Sequence, residues 1–134
     1  MTDHLPDYFF RVRENGAFAY RVDTKNRHRR IEMDQIAAIN IRNGEVKPHG
    51  GRELSDEDRA AIDAWIAERK ALLARRDIDD ILRSVDHLNL TAHWAQSRAS
   101  DSELEAVTDT LLLAMHDLRT VLVRKKAERL VAKE

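Results

Sequence analysis

IDDILRSVDHLNLTAHWA, residues 78–95, read together with LEAVTDTLLLAMHDLRTVL, residues 104–122, decides the fold of the C-terminal half. In the first stretch Ile78, Ile81, Leu82, Val85, Leu88, Ala92 and Ala95 recur at helical spacing. In the second, Leu104, Val107, Leu111, Ala114, Met115, Leu118, Val121 and Leu122 do the same. Apolar residues three and four apart form one stripe of an α-helix. The polar segment 96–101 between them is short enough to fold two helices back on each other. The pattern predicts an antiparallel helical hairpin.

A further helix precedes the hairpin. Ser55 is a suitable N-cap, and Asp56, Glu57 and Asp58 put negative charge in the first turn, where the helix dipole favours it. Ser55 with Asp58 also has the spacing of a capping box. Ile62, Trp65, Ile66, Leu72 and Leu73 share one side, with Arg69 inside the stripe. The apolar phase jumps between Leu73 and Ile78, and Asp77 can cap a new helix. That reading gives three helices. One long kinked helix is the alternative, since no Gly or Pro stands at the jump.

The N-terminal part has strand periodicity. Tyr8, Phe10 and Val12 alternate with Arg11 and Arg13; Phe18, Tyr20 and Val22 alternate around Arg21. Asn15-Gly16 between them is a hairpin signal. A two-residue loop at Asn15-Gly16 would set Phe18 opposite Arg13. A three-residue loop, with Gly16 left-handed in a bulge, pairs Val12 with Phe18, Phe10 with Tyr20 and Tyr8 with Val22. The second register puts six apolar residues on one face and is preferred. Residues 28–33 read as a third strand with Ile31 and Met33 inward. Residues 36–42 and Glu45-Val46-Lys47 read as a further hairpin around Asn43-Gly44. Residues 48–51, with one Pro and two Gly, end the sheet.

The expected fold is therefore α+β: an antiparallel β-meander over 1–52, then a helical region over 53–134. The 134 residues suit one compact unit of sheet and helices. Cysteine is absent, which excludes disulfides and thiolate metal sites. No signal peptide or membrane-spanning run is visible, so a soluble cytoplasmic protein is expected. The net charge of -1 hides a split. Residues 1–52 carry 10 Lys/Arg against 7 Asp/Glu, and the remainder carries 13 against 17.

The outer face of the sheet should display Arg11, Arg13, Arg21 and Arg30, a candidate surface for duplex DNA or an acidic protein. Solvated arginines on a half-buried sheet account for the same pattern. No aromatic ladder interleaves them, which speaks against single-strand stacking, although Phe9 is a candidate to lie among them. An Arg-bearing sheet followed by a helix resembles, in architecture alone, the three-stranded DNA-contacting modules of some phage-type integrases; no motif matches and no residue role follows. Leu90 and Trp94 fall off the main stripe of their helix, and Leu113 points away from the stripe of the last one. These three are the candidate oligomer interface of a homodimer, with packing against the sheet as the competing reading. Asn89, near the centre of the stripe, suits a residue that fixes helix register.

No enzyme motif is present: no G-x-G-x-x-G, Walker A, H-E-x-x-H or G-x-S-x-G. Asp86, His93 and His116 are the nearest approach to a metal or acid-base cluster, but the Glu-x-x-His pairs of bundle metal sites are missing. No cofactor and no catalytic residue is expected. The sequence points to a non-enzymatic interaction module, dimeric through its helices, with a small DNA-binding regulator as the alternative.

Overall fold

The computed structural model describes residues 5–25 and 30–133. The fold is α+β. Strands β1 (Tyr8–Arg13), β2 (Gly16–Asp23), β3 (Glu32–Asn40) and β4 (Val46–Pro48) form one antiparallel sheet in the order β1-β2-β3-β4. Two long helices follow, α1 (Asp56–Ser97) and α2 (Asp101–Ala132). The chain divides into two compact units, Met1–Asp79 and Asp80–Glu134.

The β1-β2 register differs from both expected registers. Arg13 pairs with Gly16, so the loop is Glu14-Asn15, and Phe10 sits opposite Ala19 and Phe9 opposite Tyr20. Asn15 itself takes the left-handed conformation, with φ at 66°. Asn tolerates that region better than other side chains. Gly16 is needed for another reason: a Cβ there would strike the backbone carbonyl of Ile39 on β3. One residue of slip moves side chains to the opposite face. Tyr8 and Phe10 therefore face α1, while Phe9, Phe18 and Tyr20 take the other side of the sheet.

β3 is one strand where two segments were expected. Positions 28 and 29 of the expected third strand lie outside the described residues. Ile31 precedes β3 and is exposed, and Met33 is exposed too, so neither points inward as expected. The β2-β3 register shifts between Ala19 and Tyr20, which leaves Ile36 as the extra residue of a bulge. The bulge lets two successive residues, Ile36 and Ala37, both be fully buried.

The core of the first unit lies between the sheet and the start of α1. Ala19, Ile36, Ala37, Ile39, Leu54 and Ile62 form it, with Tyr8, Phe10, Val46, Trp65 and Ile66 packed around. Trp65 stacks on Phe10 with ring centroids 5.0 Å apart. Ser55 caps α1 as its sequence suggests: the Asp58 N–H donates to Ser55 Oγ, and the Ser55 N–H donates to Asp58 Oδ2. The expected break before Ile78 is absent, and two helices stand where three were read. Arg75, Arg76 and Asp77 are good enough helix residues to continue, and nothing between Leu73 and Ile78 terminates a helix.

In the second unit α1 ends at Ser97 and α2 begins after Ser100, which closes a capping box with Glu103. The expected helix pair is present. Near the turn, Ala92, Ala95, Leu104, Val107 and Leu111 bound an apolar concavity, together with Leu88 of α1. No helix of the described residues is long and apolar enough to cross a membrane.

Candidate functional site

Two surfaces stand out, one in each unit. In the first unit α1 packs on one side of the sheet, and no element among the described residues of that unit covers the other. This open face carries Phe9, Arg11 and Arg13 on β1, Phe18, Tyr20 and Val22 on β2, and Lys47 on β4. Its charged strand residues are all basic, while Glu45 beside Lys47 and Asp7 opposite Val22 continue the same face just outside the strands. The acidic strand residues Asp23, Glu32 and Asp34 all fall on the α1 side by register.

The open face is also aromatic: Phe9, the one ring expected near the arginines, is joined by Phe18 and by Tyr20, which is buried at 8% exposure. The Arg11 guanidinium lies over the Tyr20 ring, 4.7 Å from its centroid, and donates a 2.8 Å hydrogen bond to the Tyr20 hydroxyl. The Arg13 guanidinium lies 5.2 Å from the Phe18 centroid. Phe9 sits beside Tyr20, centroid to centroid 6.2 Å, and keeps 42% of its surface exposed. Cation–π contact holds each guanidinium over a ring. The signal in the sequence is the i, i+2 run Phe9, Arg11, Arg13; the register that brings Phe18 and Tyr20 beneath it was not legible.

The other two candidate arginines are elsewhere. Arg21 faces α1, where its Nη2 donates to Asp58 Oδ1 and Oδ2 at 2.6 and 2.7 Å. Tyr8 donates its hydroxyl proton to the same carboxylate at 2.6 Å. Asp58 is 2% exposed. Burial alone would raise its pKa, but the hydrogen bonds from Arg21, Tyr8 and the Ser55 N–H outweigh that and hold it well below the usual carboxylate range. Tyr8 is pushed up to about 12, by burial first and by its hydrogen bond to Asp58 second. This cluster anchors α1 to β1 and β2. Arg30 is exposed and lies outside the strands, between β2 and β3. The four arginines therefore do not form one face.

At the turn end of the sheet a cleft of about 290 Å³ is lined by Arg13, Asn15, Arg42, Trp65, Arg69 and Leu73, among others. No carboxylate lines it. Among the described residues, neither Arg13, Arg42 nor Arg69 has a carboxylate partner within ion-pair distance. Sequence reading placed Arg69 in an apolar stripe but could not bring Arg42, 27 positions earlier in the chain, beside it.

The second surface is the helical pair. Ile78, just before the unit boundary, is exposed, as are Ile81, Leu82, Val85 and Leu88 of α1. Leu112, Met115, Leu118, Val121, Leu122, Val123, Leu130 and Val131 of α2 are exposed as well. Of the three candidate interface residues, Leu90 and Leu113 are each 67% exposed. Trp94 is half-buried at the concavity by the turn. Asn89 is exposed within the apolar stripe. Asp86, His93 and His116 are exposed, and no group of three His, Asp or Glu able to hold a metal ion occurs among the described residues.

No protein-family model, curated protein or solved structure matches the chain.

Proposed function

We propose that the protein is a non-enzymatic interaction module that pairs with a second copy of itself through its two helices. The observation that supports this is the exposed apolar surface. Ile81, Leu82, Val85 and Leu88 of α1 and Leu112, Met115, Leu118, Val121 and Leu122 of α2 each keep 42% or more of their surface exposed. Large apolar side chains that remain in water over many helical turns carry an unmet hydrophobic free energy. A self-complementary patch is satisfied by a two-fold partner, and two helices from each copy make a four-helix arrangement. Asn89, inside the stripe, would set the register of that arrangement.

The test is solution mass by light scattering at low and moderate salt. The expected result is twice the chain mass at both, because an apolar interface is not screened. Leu90→Asp with Leu113→Asp should shift the mass to that of a single chain while the sheet remains folded. A wild-type monomer at micromolar concentration would overturn the proposal.

The second reading, duplex DNA on a four-arginine face, loses support from the position of Arg21 against Asp58.

A further inference from the structure

We infer that the open face of the sheet and the cleft at its turn end bind a single strand of nucleic acid. The inference does not rest on self-association; it concerns the other unit of the chain. Three observations carry it.

The first is charge. Arg11, Arg13 and Lys47 share the open face, and the acidic strand residues are all on the opposite side. The basic surface continues into the cleft lined by Arg13, Arg42 and Arg69, which no carboxylate lines. Glu45, 3.9 Å from Lys47, and Asp7, opposite Val22, stand on this face just outside the strands. Between them, the surface around Arg11, Arg13 and the cleft arginines complements a chain of phosphates.

The second is spacing. Arg11 and Arg13 are two residues apart on one strand, so their side chains leave the backbone about 7 Å apart. That is close to the separation of successive phosphates along an extended single strand. The same two guanidinium groups are held over Tyr20 and Phe18, which fixes them before any ligand arrives. Side chains already ordered lose less entropy on binding.

The third is the π surface. Single strands present unstacked bases, which pack on aromatic rings and on guanidinium planes. Phe9 offers an exposed ring next to Arg11 in the i, i+2 series. A duplex hides its base faces and would gain nothing from Phe9. That separates a single strand from duplex DNA as the ligand.

The experiment is fluorescence anisotropy of a labelled oligo(dT) of about 20 nucleotides, with a duplex of the same length beside it. The single strand should bind more tightly than the duplex. Its affinity should fall about fifty- to a hundredfold between about 50 and 200 mM salt, as expected for four or five neutralised phosphates. Phe9→Ala should weaken it about fivefold or more with little change in salt slope. Arg11→Ala with Arg13→Ala, and separately Arg42→Ala with Arg69→Ala, should each weaken it and flatten the salt dependence. Arg11→Lys with Arg13→Lys keeps the charge, so it should retain more affinity than the alanine pair while also guarding against misfolding. Leu90→Asp with Leu113→Asp should bind as the wild type does, whatever its mass. No anisotropy change at low salt, equal affinity for the duplex, or full affinity in both alanine pairs would each overturn the inference.

Discussion

Asp58 shows how much one residue can hold together. It is the third residue of α1, and its carboxylate closes the cap with Ser55 while accepting from Tyr8 on β1 and Arg21 on β2. Asp58→Ala removes the cap partner and leaves buried donors without an acceptor. The expected loss is about 2–3 kcal/mol by chemical denaturation of the first unit; Arg21 is half in water, which keeps the figure from rising further. Tyr8→Phe should cost about 1–2 kcal/mol, since one charge-assisted hydrogen bond goes. The pH dependence has two limbs. Asp58 has a depressed pKa in the folded chain, so its contribution is present above the ordinary 3.8 and is lost as pH falls below it. Tyr8 has a raised pKa, so its contribution is present below the ordinary 10.0 and is lost as pH rises through about 12. Stability measured against pH should fall at both ends, and Tyr8→Phe should remove much of the alkaline limb. An unchanged alkaline limb in that variant would show that other groups cause it.

At the scale of elements, the β2-β3 pair depends on close approach at Gly16. Gly16→Ala should cost about 3 kcal/mol or more, because the carbonyl it meets is backbone and cannot rotate away. Its circular dichroism melt would come down sharply; a melt within a degree or two of wild type would mean the strands can separate without loss. The two caps differ in reach. Ser55 and Asp58 tie α1 to the sheet, whereas Ser100 and Glu103 satisfy only the first turn of α2. Ser100→Ala should therefore cost only about 1 kcal/mol. How legible these elements were follows from how local their causes are. Ser55 with Asp58 could be read as a cap because both residues are within one turn. The hairpin register could not, because an apolar-face argument favoured gathering Phe10, Phe18 and Tyr20 together. The protein instead gives Phe18 and Tyr20 to the face that carries Arg11 and Arg13. The assumption that failed was that only one face of this sheet needs aromatic residues.

For the whole molecule, the exposed apolar side chains of the two helices set the expectation. If a second copy covers the apolar helices, unfolding is coupled to dissociation, and the melting temperature rises with protein concentration. A tenfold increase in concentration should raise it measurably in the wild type and leave it unmoved in Leu90→Asp with Leu113→Asp. Calorimetry at two concentrations decides this. A concentration-independent wild-type melt would mean that the helices are stable with their apolar side chains in water, against the usual balance of hydrophobic free energy.

By itself the sequence determined the class of fold, the presence of an antiparallel meander, the pair of helices and the cap at Ser55. Each is written in periodicity or in residues a few positions apart, where local geometry dictates the outcome. It also determined that the helices carry more apolar surface than one hairpin uses. Only the tertiary structure decided which arginines share a face. Strand register set Arg11 and Arg13 over aromatic rings, while the buried carboxylate of Asp58 drew Arg21 to the other side. It alone brought Arg42 and Arg69 to one cleft. These depend on contacts between residues far apart in the chain, and the energies that choose among them belong to packing and pairing rather than to local pattern.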